Sequence, residues 1–262
     1  MTPTVFYCTQ KCLFCWRAQS GDLQITWDEM RLPAWDLPEE IVEKCIKAQL
    51  EILSGYKGNP KTNEEKFREA LTPRHAAISL TGEPTLYKYI GELIAAFHRK
   101  KFTTFLVSNG TTPSVLAKLS EEPTQLYISV CAPDKDTFKH VCNPQIQKAW
   151  EKLNETLELL SNFKCPTVIR ITCVHGLNMK NIKGYAKLIE RANPTYVEPK
   201  AYMYVGFSRL RLGYENMPSH REICEFAKQI AEEVGYNIIN ESHESRVVLL
   251  SRLEKPVRFG GC

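Results

Sequence analysis

The chain has 262 residues, 43% hydrophobic and 24% charged, with a formal net charge of +4. That length supports one large domain with a continuous core, and the composition is that of a globular chain rather than a disordered one. No apolar run reaches the roughly 18–20 residues that span a bilayer, and Met1 to Val5 lacks the basic and apolar regions of a secretory signal.

Short β-branched runs alternate with amphipathic stretches along the chain. Pro3 to Tyr7 is the first predicted strand, followed by a cysteine-rich loop and a helix over Pro38 to Ser54. Residues 55–72 are polar and contain Gly-Tyr-Lys-Gly-Asn-Pro, which predicts an inserted, mobile loop with a short helix around Glu64 to Ala70. Ala76 to Leu80 is the next strand. A helix over Tyr89 to Lys100 puts Ile90, Leu93, Ile94 and Phe97 on one face. The basic cluster at its end, His98 to Lys101, reads as a solvated helix terminus with favourable dipole contacts. Strand Thr103 to Val107 ends in a Ser108-Asn109-Gly110 turn, and a helix around Ser114 to Leu119 follows. Strand Leu126 to Val130, helix Trp150 to Leu160, strand Thr167 to Val174 and helix Asn181 to Ala192 continue the alternation. Strand Tyr196 to Tyr204, helix Ser219 to Val234 and strand Arg246 to Arg252 close it.

Such alternation implies parallel strands joined by right-handed crossovers. The fold class is therefore α/β, a single domain over residues 1–262 built as a partial (β/α)6 barrel with mostly parallel strands. Sites in such folds gather at the C-terminal ends of the strands. The cysteine loop, Thr81 to Pro84, Ser108 to Gly110 and Val174 to Gly176 would all meet there.

Cys8, Cys12 and Cys15 are spaced C-x3-C-x2-C, with Phe14 before the last and Trp16 after it. Three thiolates on one loop can hold three irons of a [4Fe–4S] cube and leave the fourth open for substrate. A zinc site or buried free thiols are the alternatives. Zinc usually takes four ligands in CxxC-like pairs, and the sequence has no second pair. The remaining cysteines, Cys45, Cys131, Cys142, Cys165, Cys173, Cys224 and Cys262, show no metal-like spacing and read as reduced thiols.

Other candidates stand at strand ends. Gly82 would let backbone approach a ligand, with Glu83 and Pro84 beside it. Ser108 and Asn109 could meet a ribose or carboxylate, or form an ordinary Asx-type turn. Ser129 offers a polar group at the next strand end. Arg170 and Thr172 alternate with apolar Ile169 and Ile171, so Arg170 needs an anionic partner, either a ligand carboxylate or a structural Glu.

The triad and these strand-end motifs resemble the radical S-adenosylmethionine (SAM) superfamily. That resemblance implies a [4Fe–4S] cluster on Cys8, Cys12 and Cys15, with SAM chelating the fourth iron. It implies SAM contacts from Phe14, Gly82, Glu83, Pro84, Ser108, Asn109, Ser129, Arg170 and Thr172. A narrower resemblance covers nearly the whole chain. Cys12-Leu13-Phe14-Cys15-Trp16-Arg17, Ser79 to Tyr87, Leu106 to Thr111, Ile169 to Val174, Glu198 to Tyr202 and Glu241 to Ser245 are similar to the tRNA wybutosine-synthesising enzymes, the 4-demethylwyosine synthases, in their archaeal stand-alone form.

The family resemblance implies condensation of N1-methylguanosine, beside the anticodon of phenylalanine tRNA, with pyruvate to give 4-demethylwyosine. A 5′-deoxyadenosyl radical would abstract hydrogen from the N1-methyl group. The carbon radical would then add to pyruvate, with carbon–carbon scission and ring closure after it. An electron donor is required. Family members also carry a second [4Fe–4S] cluster and a pyruvate-binding lysine on an N-terminal segment. This sequence starts just before the first-cluster strand, so the expectation is a chain lacking that segment, with no residue assigned to pyruvate. For tRNA contact the expectation is Arg17, Lys200, Tyr202, Arg209 and Arg211, with Tyr204 and Phe207 interleaved, since cations and aromatics suit an unstacked base. A surface loop with routine charges is the plainer reading. Another radical SAM enzyme, RNA-modifying or activating, and an Fe–S-stabilised RNA-binding module without catalysis are the competing functions. The expected setting is a monomer in the cytoplasm, with no membrane partner.

Overall fold

The computed structural model describes residues 1–259, and its centre is a seven-stranded sheet. In chain order the elements are β1 (Ser20–Leu23), α1 (Pro38–Ser54), α2 (Glu64–Ala70), β2 (His75–Ile78), α3 (Ile90–Arg99), β3 (Thr103–Ser108), α4 (Pro113–Leu116), β4 (Gln125–Ser129), α5 (Lys135–Cys142), α6 (Ala149–Leu159), β5 (Thr167–Cys173), α7 (Ile182–Ala192), β6 (Tyr196–Ala201), α8 (His220–Val234), β7 (Asn237–Ser242) and β8 (Val247–Ser251). The sheet order is β2-β3-β4-β5-β6-β8-β7. The pairs from β2 to β6 are parallel, while β8 runs antiparallel to both β6 and β7.

The two faces of the sheet differ in chemistry. Ile78, Leu106, Leu126, Ile128, Ile169, Ile171 and Val197 are fully buried and form one core with Leu93, Ile94, Leu153, Leu157, Ile189, Phe226 and Ile230 of the helices. The residues between them, Tyr127, Ser129, Arg170, Thr172, Glu198 and Lys200, are half-buried on the other, concave face. Period-two alternation thus places an apolar layer under the helices and a polar layer on the opposite face. Among the described residues, no helix is long and apolar enough to cross a membrane.

The α/β class with mostly parallel strands holds. Several details differ from the sequence reading, among them the unread short strand β1. Pro3 to Tyr7 forms no strand. The segment lies beside β2, where the Met1 ammonium donates to Ala77 O at 2.8 Å and Ser79 N donates to Met1 O at 2.9 Å. Pro3 has no N–H for a ladder, and Thr2 Oγ1 donates to Thr81 O at 2.7 Å in place of a backbone bond. The helix α5 went unread because it has only eight residues between Pro133 and Pro144. Asp134 caps it, its carboxylate accepting Thr137 N at 2.8 Å. Edge strand β7 buries none of its residues, so it carries no apolar signal.

The short helix in residues 55–72 is present as α2, capped by Asn63, which accepts Lys66 N at 3.0 Å. Cys262 lies outside the described residues.

Candidate active site

The cysteine loop is held by backbone bonds from both sides. Lys11 N donates to Asn143 O and Leu13 N to Val141 O, at the end of α5. Cys8 N donates to Glu29 O at 2.8 Å, and Phe207 N donates to Trp16 O at 3.0 Å. Several of the loop's own carbonyls also accept from side chains. Gln19 Nε2 donates to Cys12 O, while Arg211 donates to Leu13 O at 3.3 Å and Cys15 O at 2.5 Å. Arg211 also holds Asp22 with two bonds at 3.0 and 2.8 Å.

Loops from the next two strands converge on the same place. Gly82 adopts φ +72, and a Cβ there would meet Thr4 O at 2.3 Å and Tyr7 O at 2.8 Å. Only glycine lets the β2 loop lie this close under the cysteine loop. Glu83 N donates to Tyr7 O at 2.8 Å. The Glu83 carboxylate is buried and takes four donors: Thr85 N and Oγ1, Ser108 Oγ and Asn109 N. Burial raises its pKa, and these bonds oppose the rise. Glu83 therefore welds the β2 and β3 loops together. Asn109 completes the link, its Nδ2 donating to Thr9 Oγ1 at 2.8 Å and to Cys8 Sγ at 3.6 Å.

The donor set suits a multi-iron cluster better than a single ion. A tetrahedral zinc would set its sulfurs about 3.8 Å apart. Cys8, Cys12 and Cys15 are three free thiols on one loop, the number that holds three irons of a cube and leaves the fourth open. Burial pushes the Cys8 and Cys15 thiols up. The Cys142 contact, ahead of burial, raises Cys12. In all three the Arg17 guanidinium acts in the opposite direction and favours thiolate.

Arg17 is the main correction to the sequence reading. It does not face solvent or RNA. Its guanidinium pairs with Glu29 at 2.6 Å, with both side chains 2–3% exposed. Tyr202 is likewise buried, its hydroxyl 3.0 Å from Ser208 Oγ. Arg211 spends its donors on the cysteine loop and Asp22. Arg209 remains on the surface, 5.3 Å over the Tyr204 ring.

On the concave face the register aligns Ser129 with Arg170, Arg170 with Glu198, and Thr172 with Lys200. Arg170 Nε stands 3.2 Å from Glu198 Oε1, so Glu198 supplies the anionic partner it needs. Burial and Arg170 lower the Lys200 pKa. Phe14 is half-buried beside the core. Sequence reasoning missed Glu29, Arg211's clasping role and Gly206, where a Cβ would meet Trp16 O at 2.5 Å. No local pattern marks these, because each acts through a partner at least 12 residues away.

A radical SAM protein is the class that this parallel half-barrel and its cysteine loop define, and residues 2–189 match the radical SAM superfamily. Residues 191–252, which add β6, β7 and β8 to the same sheet together with helix α8, match the family described as wyosine base formation. The S-adenosyl-L-methionine-dependent tRNA 4-demethylwyosine synthase of Pyrococcus abyssi is 50% identical over 256 residues, covering 96% of this chain and 74% of the relative. The protein of the same name from Methanocaldococcus jannaschii is 43% identical, covering 98% and 81%. A solved structure of TYW1 with a lysine–pyruvate adduct bound superposes with a TM-score of 0.83 at 42% identity, covering 96% of this chain and 78% of that one. The chain belongs to the tRNA 4-demethylwyosine synthase family of radical SAM enzymes. Membership brings with it a [4Fe–4S] cluster and SAM.

Proposed function

We propose that this chain catalyses the condensation of N1-methylguanosine in phenylalanine tRNA with pyruvate to form 4-demethylwyosine. The observation that carries the reading is the junction of the cysteine loop with the Glu83 and Asn109 loops, in a chain half identical to a named synthase. Cys8, Cys12 and Cys15 would hold the cluster. Gly82, Pro84, Ser108, Asn109, Ser129 and Thr172, with the backbone at Phe14, are the proposed SAM contacts. Cluster and SAM, when bound, supply a primary carbon radical able to take hydrogen from an unactivated methyl group.

The chain's own residues do the rest. Asn109 donates to the Cys8 sulfur and so stabilises its thiolate form. Glu83 holds Asn109 in place from behind. The concave face presents Lys200 and Arg170 toward the mouth, where cations suit a carboxylate or phosphate. Exposed Trp16 and Tyr214, with Arg209 over Tyr204, give a stacking surface for an unstacked base at the rim. Arg209, Tyr204 and Lys200 keep the proposed RNA-facing role. The lysine–pyruvate adduct named in the TYW1 structure supports pyruvate as co-substrate. A second [4Fe–4S] cluster and an external electron donor belong to the proposal through the family resemblance.

The test is anaerobic turnover of reconstituted protein with dithionite, SAM, pyruvate and N1-methylguanosine tRNA. The expected product is the tricyclic base, found by nucleoside mass spectrometry. SAM cleavage without that base would assign the chain to a different radical SAM reaction. A Cys12→Ala variant that lost iron but kept full biological activity would favour a non-catalytic RNA-binding module.

A further inference from the structure

A second group of metal-ligating side chains lies away from the cysteine loop. His220 and Cys224 are four residues apart on α8, on one helix face. Glu241 reaches them from the end of β7. His220 Nε2 is 3.4 Å from Cys224 Sγ and 3.3 Å from Glu241 Oε2, and Cys224 Sγ is 3.4 Å from Glu241 Oε2. Among the described residues, this is the one set of three such groups whose ligand atoms all lie within 4.8 Å of one another.

Those separations have a simple meaning. Bonds of about 2.0–2.1 Å to nitrogen or oxygen and about 2.3 Å to sulfur place tetrahedral ligand atoms about 3.3–3.6 Å apart. The triangle formed by Nε2, Sγ and Oε2 matches that edge length on every side. Hydrogen bonding alone fits it less well. Three close contacts share at most the thiol proton and one imidazole proton. The His220 side chain is 10% exposed, and its Nδ1 is buried with no hydrogen-bond partner. The polar atoms of this buried ring are therefore incompletely satisfied by the protein itself.

We propose that His220, Cys224 and Glu241 bind one divalent cation of the zinc class. Thiolate and carboxylate together bring two negative charges and neutralise it, and the thiol proton leaves to solvent on binding. The mixed nitrogen, sulfur and oxygen set selects zinc over magnesium or calcium, which prefer oxygen alone. His243 follows Glu241 by two residues, and its ring centroid is 5.0 Å from that of His220. It stands beside the set without belonging to it, which leaves the fourth position to a water. The cation ties the first two turns of α8 to edge strand β7, at the rim where Glu222 of the same helix meets His175 at 2.6 Å. Its role is structural, independent of SAM and of the proposed reaction.

The experiment uses the anaerobically reconstituted full chain, given a small excess of zinc sulfate and then desalted. Zinc and iron are counted together, and zinc-edge X-ray absorption reads the ligands. The expected result is about one zinc beyond the iron content, with one sulfur near 2.3 Å and the remaining scatterers near 2.0–2.1 Å. Cys224→Ser and Glu241→Gln should lose that zinc while keeping their iron. Glu241 is exposed, so its variant carries little folding risk. Retention of no more zinc by the parent chain than by Cys224→Ser overturns the proposal. So does zinc bound with sulfur ligands in the Cys224→Ser protein.

Discussion

Arg17 and Glu29 meet at 2.6 Å inside the protein, directly behind the three cysteines. Glu29 is also fixed by Ser20 N at 2.5 Å, and Arg17 by the Gln10 and Ala18 carbonyls. Removing Glu29 leaves the Arg17 charge buried and unpaired, and removing Arg17 leaves buried Glu29 with only the longer Lys11 pair at 3.9 Å. Arg17→Met or Glu29→Gln alone should cost about 3–5 kcal/mol in urea unfolding, and the double variant should recover part of that loss. Iron loading should fall with Arg17→Met, since Arg17 favours all three thiolates. Loss of tRNA affinity in Arg17→Lys with unchanged stability would return Arg17 to the RNA surface.

Glu83 and Asn109 give a sharper test of role. If Glu83 acts by welding two loops, Glu83→Gln should preserve SAM affinity within about threefold, or about 0.7 kcal/mol. Its amide can keep an oxygen on Asn109 N and turn its NH2 toward the Ser108 and Thr85 hydroxyls, which can accept, at the loss of the single bond from Thr85 N. Glu83→Ala has no such option. It strands the buried Asn109 N–H and should cost on the order of 3 kcal/mol. Calorimetric SAM titration beside chemical denaturation separates the two outcomes.

The contrast between Arg17 and Glu83 shows what the sequence made legible. The cysteine spacing and the Gly82-Glu83-Pro84 turn are short-range patterns, and the structure brings both to one place. Parallel strands from Ala76 onward were readable because each buries a β-branched or leucine-rich stripe. Arg17 was misread because a cation next to a metal motif carries no mark of burial. Its partner lies 12 residues away in a segment without regular periodicity. Arg211 was misread for the same reason, since its carbonyl partners are nearly 200 residues distant. Edge strand β7 escaped because pairing at a sheet edge needs backbone bonds and no apolar face.

Gly206 links the late segment to the cysteine loop. Its φ is +58, and a Cβ would approach Trp16 O to 2.5 Å, next to the bond from Phe207 N to the same oxygen. Gly206→Ala should break that bond and loosen the loop, costing about 1–3 kcal/mol from backbone strain. Iron retained after gel filtration should drop, while far-ultraviolet circular dichroism stays close to the parent. Gly82→Ala should be more severe, because the clash at 2.3 Å is with backbone that the β2 loop cannot avoid.

Lys200 yields a pH prediction. Burial, then Arg170, lowers its pKa below the ordinary lysine value, with Glu198 opposing. The native state therefore penalises the charged amine relative to the unfolded chain. That penalty is present below the folded pKa. It disappears as pH rises from the folded value toward about 10.4, the unfolded value. The Lys200 contribution should thus make the protein more stable with rising pH in that alkaline window. Lys200→Met, which keeps the aliphatic stem, should lack this rise and be at least as stable as the parent at neutral pH. Urea midpoints from pH 7 to 10, taken for both proteins, test the sign. A parent curve that falls relative to Lys200→Met would mean that Glu198 outweighs burial at this position.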